Sequence, residues 1–166
     1  VKKTIIEQDE TKLIIEISID ALTEAELFPS SLLIGLPTKT LPTTSIQYFE
    51  KTKIPFQSRI EFSEGFNWTN IQKLKNLNTG ILKVSPLSNN NHYYKKIILT
   101  LQFKELYEDY RNPNKSEIVF LEDRIINWES AKKWFLKKNR KGSKLIDYPL
   151  GTWYQFFIEK DGIYSI

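Results

Sequence analysis

The sequence predicts an all-β fold, a β-sandwich of about eight or nine antiparallel strands with one short amphipathic helix near 128–138. Apolar and polar residues alternate along 13–20 and again along 96–104. This two-residue period is typical of strands with one buried face. The chain also contains seven prolines between its apolar runs, and proline cannot donate a hydrogen bond to a β-ladder. Short strands separated by proline-containing loops therefore account for most of the chain.

Six further runs rich in β-branched or aromatic residues predict the remaining strands. They lie at 32–36, 45–49, 56–62, 80–84, 118–121 and 153–158. The last run precedes Asp161-Gly162, a pair that suits the positive φ angles of a tight hairpin turn. We also expect a short helical turn within 22–28. Exposed turns are predicted at 87–91 and 111–116.

One segment has the period of a helix. Asn127 is a suitable N-cap, and four apolar residues after it fall on one helical face, namely Trp128, Ala131, Trp134 and Phe135. Several lysines face away from this stripe, and the stretch 132–144 is the most basic of the chain. Because the aromatic rings and the lysines lie on opposite faces, the pattern favours a helix packed on a core over a nucleic-acid site. We therefore expect no nucleic-acid partner.

The composition excludes several kinds of chemistry. With 166 residues, no cysteine and one histidine, the chain is about one domain in size and lacks thiol nucleophiles, disulfides and two-histidine metal sites. His92 lies in a predicted turn, where a surface role is the simplest interpretation. We expect no catalytic residues, no cofactor and no metal, so the chain itself is not predicted to be an enzyme. Its apolar runs are far shorter than the roughly 20 residues that span a bilayer, so no membrane insertion is expected.

The charge is uneven along the chain. Residues 1–50 carry 4 basic and 8 acidic side chains, whereas 51–166 carry 20 basic and 12 acidic ones.

The chain has no methionine and closes on a predicted strand. We therefore expect it to be part of a longer polypeptide. We predict a sandwich domain with its helix and basic linker over 1–147, and a closing hairpin over 148–166 that leads towards a downstream domain.

Residues 121–166 resemble the N-terminal region of gingipain-type cysteine peptidases, including the sortase of the type IX secretion system. The resemblance includes the helix Asn-Trp-Glu-Ser-Ala-Lys-Lys-Trp at 127–134 and the hairpin of Gly-Thr-Trp-Tyr at 151–154 with Gly-Ile-Tyr at 162–164. Phe28-Pro29 and Ile34-Gly-Leu-Pro37 are similar to early strands of these regions. The family's catalytic histidine and cysteine have no counterparts in this chain.

The resemblance implies a non-catalytic N-terminal domain or prodomain of a secreted peptidase of a Bacteroidetes-like bacterium. Such a domain packs against the downstream catalytic domain of the same polypeptide, as an inhibitor or chaperone. It implies a periplasmic, outer-membrane-surface or extracellular location, removal of any signal peptide, and contact with cell-surface or secretion-system components.

Two further hypotheses concern individual residues. Arg140 and Lys141 lie in a polar, basic linker of the kind that proteases reach, so they are candidates for a processing or partner-contact site, although a solvated connector is the simpler interpretation. An extracellular carbohydrate-binding or adhesion sandwich is the alternative function. In that case, Trp68, Tyr93 and Tyr94 would be the aromatic residues that contact the glycan.

Overall fold

The computed structural model describes residues 1–63, 65–104 and 113–134. Over these residues, the chain forms two antiparallel sheets, which confirms the predicted all-β, sandwich-like fold. The strands are β1 Lys2–Gln8, β2 Lys12–Ser18, β3 Ser30–Leu36, β4 Thr43–Lys53, β5 Phe66–Trp68, β6 Gln72–Leu74, β7 Leu77–Val84 and β8 His92–Gln102. A 3₁₀ helix covers Glu24–Leu27, helix α1 covers Lys115–Arg124, and 128–134 is also helical.

The strands divide into a long-stranded and a short-stranded sheet. The first has the order β1-β2-β8-β4, and in the second β7 pairs with β3, β5 and β6. The alternating residues of β2 and β8 pair directly across the first sheet, as Leu13 with Leu101 and Ile15 with Leu99. These side chains are fully buried. Together with inward residues of β3 and β7, they form the core that the two-residue period predicts.

The sandwich has two ends, which differ in what covers them. One end, here called the anchor end, contains the β1–β2 and β6–β7 turns and is closed by residues 125–134, the anchor segment. At the other end, the loop end, the segments 19–29, 54–63 and 85–91 connect the strands. Lys3 joins the two sheets near this end, since its Nζ lies 3.2 Å from the Ser31 carbonyl oxygen.

The predicted strand at 118–121 is wrong, because these residues belong to α1. The Asn114 side chain accepts a hydrogen bond from the Glu117 amide at 2.9 Å, and the Glu117 carboxylate accepts one from the Asn114 amide at 3.0 Å. This reciprocal capping box satisfies two amides that a helix start leaves unpaired. It therefore favours a helix over the turn predicted at 111–116, of which residues 113–116 lie within the described part.

The predicted strand at 56–62 is also wrong. These residues form no ladder, although Phe56 and Ile60 pack on the core as partly buried side chains. The segment contacts another loop instead, because the Arg59 amide donates to Glu24 Oε2 at 2.6 Å. The apolar spacing thus predicted burial correctly but the backbone structure wrongly, because an extended loop can also bury every second side chain.

The helix predicted near 128–138 is observed over 128–134, its described part. Trp128, Ala131 and Trp134 are buried, as the apolar stripe predicts. A short 3₁₀ helix likewise confirms the turn expected within 22–28. Phe135, the strand at 153–158 and the closing hairpin at 148–166 lie outside the described residues.

Candidate protein-binding loop

The loop between β2 and β3, residues 19–29, exposes large apolar side chains at the loop end. Leu22 is 74% exposed and Phe28 is 56% exposed, whereas Leu27 between them is fully buried. Ala25 and Pro29 are exposed as well. A single exposed apolar side chain is ordinary on a protein surface, but several on one short loop are typical of an interaction site. We call residues 19–29 the apolar loop.

Both glutamates of the apolar loop are turned back towards the protein. Glu24 accepts a hydrogen bond from the Arg59 amide at 2.6 Å, and Glu26 Oε2 accepts one from the Leu22 amide at 3.2 Å. Glu26 Oε1 also lies 3.4 Å from the α-amino group of Val1. The carboxylates therefore hold the loop in shape and leave its apolar side chains exposed.

The surroundings of Glu26 favour its charged form. Partial burial acts to raise the pKa of Glu26, but the Leu22 amide and the Val1 amino group lower it, and the resulting pKa lies below its ordinary value. Glu26 is thus ionised when it accepts the hydrogen bond from the Leu22 amide, and hydrogen bonds to a charged acceptor are stronger than neutral ones.

A strained residue lies at the start of the apolar loop. Ala21 has a φ of 53° and its side chain is fully buried, although the left-handed region is costly for residues other than glycine. The preceding carbonyl, that of Asp20, accepts a hydrogen bond from the Tyr93 hydroxyl at 3.1 Å. Burial raises the pKa of Tyr93, and the charges of Asp20 and Glu26 add to this shift.

The anchor segment closes the opposite end through the side chain of Asn127. Its amide oxygen accepts from the Gly35 amide at 2.8 Å, and its amide nitrogen donates to the Gly35 carbonyl at 3.0 Å. The Ile126 amide donates to the Leu33 carbonyl at 3.1 Å. Residues 126–127 therefore pair with the outer edge of β3 as a further strand would, and they cover an edge that would otherwise be open.

Two more contacts attach the anchor segment to the β1–β2 turn. Gln8 accepts hydrogen bonds from the amide and the hydroxyl of Ser130 at 3.1 and 3.0 Å. The Trp134 indole donates to the Glu10 carbonyl at 3.2 Å, and its ring meets Phe103 edge-on at 5.5 Å. Because Asn127, Ser130 and Trp134 are all fully buried, the chain reaches residue 134 at a fixed position on the sandwich.

The three aromatic residues of the carbohydrate hypothesis lie apart. Trp68 in β5 is half-buried, and its indole donates to Thr44 in the other sheet at 3.0 Å. Tyr93 is 2% exposed. Tyr94 is half-buried and stacks on Tyr48 with a centroid distance of 4.4 Å. The rings therefore do not form one exposed platform, and a glycan contact by Trp68 or Tyr94 stays a prediction.

The remaining site candidates from the sequence are His92 and the pair Arg140 and Lys141. His92 begins β8, and its Nδ1 lies 3.1 Å from the side-chain oxygen of Asn89 in the same turn. Arg140 and Lys141 lie outside the described residues. Within the described ranges, no group of three histidine, aspartate or glutamate side chains could hold a metal ion. Of the helices in that part of the chain, none is long and apolar enough to cross a membrane.

Sequence reasoning did not single out Leu22 as a candidate site residue, and it assigned Phe28 to a short helical turn and to a segment similar to an early strand. Local patterns show that a residue is apolar, but not whether a neighbouring segment covers it. The available signal was that the apolar–polar alternation of 13–20 ends at Asp20 and that Leu22 follows directly.

No protein-family model matches the chain, and no curated protein matches it in sequence. Among solved structures, it is similar to the complex of the pro- and mature domains of RgpB from Porphyromonas gingivalis. The TM-score is 0.48 and the sequence identity is 9%, with 77% of this chain and 97% of that chain covered. At these values, the similarity assigns neither a family nor a function to this chain.

Proposed function

We propose that this chain is a non-catalytic, protein-binding N-terminal domain or prodomain of a secreted gingipain-type cysteine peptidase. It packs against the downstream catalytic domain of the same polypeptide and inhibits or chaperones it. The proposal places it in the periplasm, at the outer-membrane surface or outside the cell. The sequence resemblance over 121–166 names the family, and the apolar loop supplies the surface.

The observation that carries the proposal is the exposure of Leu22 and Phe28 while both glutamates of their loop bind backbone amides. A loop that needed only to be soluble would direct its charges outward. The apolar loop instead uses both of its glutamates to fix its own conformation, so ordering costs less entropy when a partner covers the apolar side chains. Preorganised apolar side chains of this kind are typical anchors of protein interfaces.

The fixed position of the anchor segment adds a second support. A domain attached downstream in the same polypeptide stays within the reach of the residues that connect it to this position. Linkage of this kind raises the effective concentration of the partner. A modest contact at the apolar loop is then sufficient for stable packing within one polypeptide.

The direct test titrates this chain onto the catalytic domain encoded downstream in the same gene, with binding measured by calorimetry and inhibition by peptide hydrolysis. We expect binding at micromolar concentration or tighter and a parallel loss of peptidase activity. Binding without inhibition would assign a chaperone or structural role. Absence of binding at micromolar concentration would overturn the proposal.

A pair of variants tests the surface itself. Phe28→Asp places a charge in the proposed interface, and we expect binding to weaken at least tenfold. Val119→Asp on α1 is the matched control, since Val119 is 55% exposed against 56% for Phe28. Equal loss in both variants would show that the apolar loop is not the contact surface.

A further inference from the structure

Tyr93 lies inside the sandwich, but its hydroxyl contacts the apolar loop. The residue belongs to β8 and is 2% exposed. Its hydroxyl donates to the Asp20 carbonyl at 3.1 Å, across 73 positions of sequence. The ring fills core space, whereas the hydroxyl provides a directed bond to one backbone atom. These two roles are separable, because phenylalanine would retain the first and lose the second.

The bonded carbonyl lies at the point where the chain passes from the core to the surface. Ile19 still pairs with β8, since its amide donates to the Lys95 carbonyl at 2.8 Å. Ala21 has the left-handed φ of 53° and is fully buried, and the next residue, Leu22, is 74% exposed. An alanine keeps such a conformation when surrounding contacts enforce it. The Tyr93 hydroxyl is the side-chain donor that reaches the peptide between Asp20 and Ala21.

We propose that Tyr93 is a positioning residue for the apolar loop: its buried hydroxyl holds the Asp20 carbonyl, keeps Ala21 left-handed and so presents Leu22 to the partner. The identity of the partner rests on the proposed function, whereas the ordering of the loop by Tyr93 does not depend on it.

The loop-end contacts on the far side of Ala21 support this role. Glu26 binds the Leu22 amide, and the Phe28 amide donates to the Ala25 carbonyl at 3.4 Å. These bonds are local, within four residues, and fix the shape of the 3₁₀ turn. Glu24 and Glu26 also attach the turn to other segments, through the Arg59 amide and the Val1 amino group. The Tyr93 hydroxyl ties the start of the turn, at Asp20, to β8, so its loss should loosen residues 20–22 and weaken the bond from the Leu22 amide to Glu26.

The first experiment compares Tyr93→Phe with Tyr94→Phe in this chain. Tyr94 is the matched control, because it is the adjacent residue of β8, its side chain lies on the opposite face of the strand, and its ring stacks on Tyr48. Backbone chemical shifts of residues 20–22 report φ, and amide exchange of Leu22 reports its bond to Glu26. In Tyr93→Phe, we expect the Ala21 shifts to lose their left-handed character, the Asp20 shifts to change with them, and faster exchange at Leu22. Tyr94→Phe should match the wild type.

The second experiment measures binding of the same variants to the downstream catalytic domain. One hydrogen bond corresponds to a change of about fivefold in the equilibrium constant between the presented loop and its other conformations. We therefore expect binding by Tyr93→Phe to weaken by up to about fivefold, with none of this loss in Tyr94→Phe. Unchanged loop shifts in a folded Tyr93→Phe variant would overturn the inference. If those shifts move but the wild-type chain binds no catalytic domain, the inference stands and the proposed function fails.

Discussion

The two ends of the sandwich use the same kind of hydrogen bond for opposite purposes. At the anchor end, Asn127 and Gln8 offer side-chain oxygens to backbone amides, and the segment that makes these bonds is buried. At the loop end, Glu24 and Glu26 also accept from backbone amides, yet Leu22 and Phe28 remain exposed. Side-chain-to-backbone bonds thus enclose chain at one end and present side chains at the other.

The largest effect should come from removing the central side chain of the anchor end. Trp134→Ala deletes a fully buried indole and its hydrogen bond to the Glu10 carbonyl, so we expect a loss of about 4 kcal/mol in the free energy of unfolding. Chemical denaturation measures it. Lys133→Ala, at the exposed neighbouring position, is the control and should change stability by less than about 0.5 kcal/mol. Similar values for both would mean that the anchor segment is not part of the folded core.

The apolar stripe that holds Trp134 could be predicted from sequence, because a helix that buries one face repeats its apolar residues at helical spacing. The same reasoning worked for β2 and β8, where alternate residues are fully buried. It failed at 118–121, since a run of four consecutive apolar residues fits a strand or a helix equally well. The signal that separates the two is the Asn114–Glu117 capping box.

Contacts between distant residues could not be predicted. Asparagine is a favoured N-cap residue, and the backbone carbonyl of Asn127 does accept hydrogen bonds from the Ser130 and Ala131 amides, both at 3.0 Å. Its side chain, however, bonds Gly35, 92 positions away. The role of Tyr93 is hidden for the same reason, because the partner of a buried polar group depends on which strands meet. The candidate loop therefore became visible through burial and hydrogen bonding rather than through residue types.

Two leucines in the apolar loop provide a comparison within one segment. Leu27→Ala removes a fully buried side chain, and we expect a loss of about 3 kcal/mol. Leu22→Ala removes one that is 74% exposed, so stability should change by less than about 0.5 kcal/mol. Thermal and urea unfolding would measure both. If Leu22→Ala destabilised the chain as much as Leu27→Ala, the exposed state of Leu22 would not be the native one.

A smaller loss is expected at the edge of β3. Asn127→Ala leaves the buried Gly35 amide and carbonyl without their side-chain partners, which should cost about 2 kcal/mol. Glu129→Ala provides the comparison, because Glu129 is exposed and its contact with Lys132 at 2.7 Å is a surface ion pair worth roughly 0–1 kcal/mol. A loss below that of Glu129→Ala would show that water replaces the Asn127 amide and that the β3 edge is open.

The smallest effect should be a pH dependence at the anchor end. Asp9 Oδ1 accepts from the Thr11 and Lys12 amides, both at 2.8 Å, within the β1–β2 turn. These bonds, the Thr11 amide first, outweigh partial burial and hold the pKa of Asp9 below its ordinary value. The charged form is therefore favoured in the folded state, and its contribution to stability is present above the unfolded pKa of about 3.9 and lost as pH falls through the lower folded value.

Asp9→Asn isolates this contribution, because asparagine retains an oxygen acceptor without the charge. We expect the variant to be slightly less stable than the wild type at pH 7, with the difference shrinking progressively below about pH 4. Urea unfolding at several pH values measures it. A difference that stayed constant from pH 7 to pH 2 would show that the turn depends on the shape of the side chain and not on its charge. The anchor end would then be held by neutral hydrogen bonds alone, in contrast to the ionised Glu26 at the loop end.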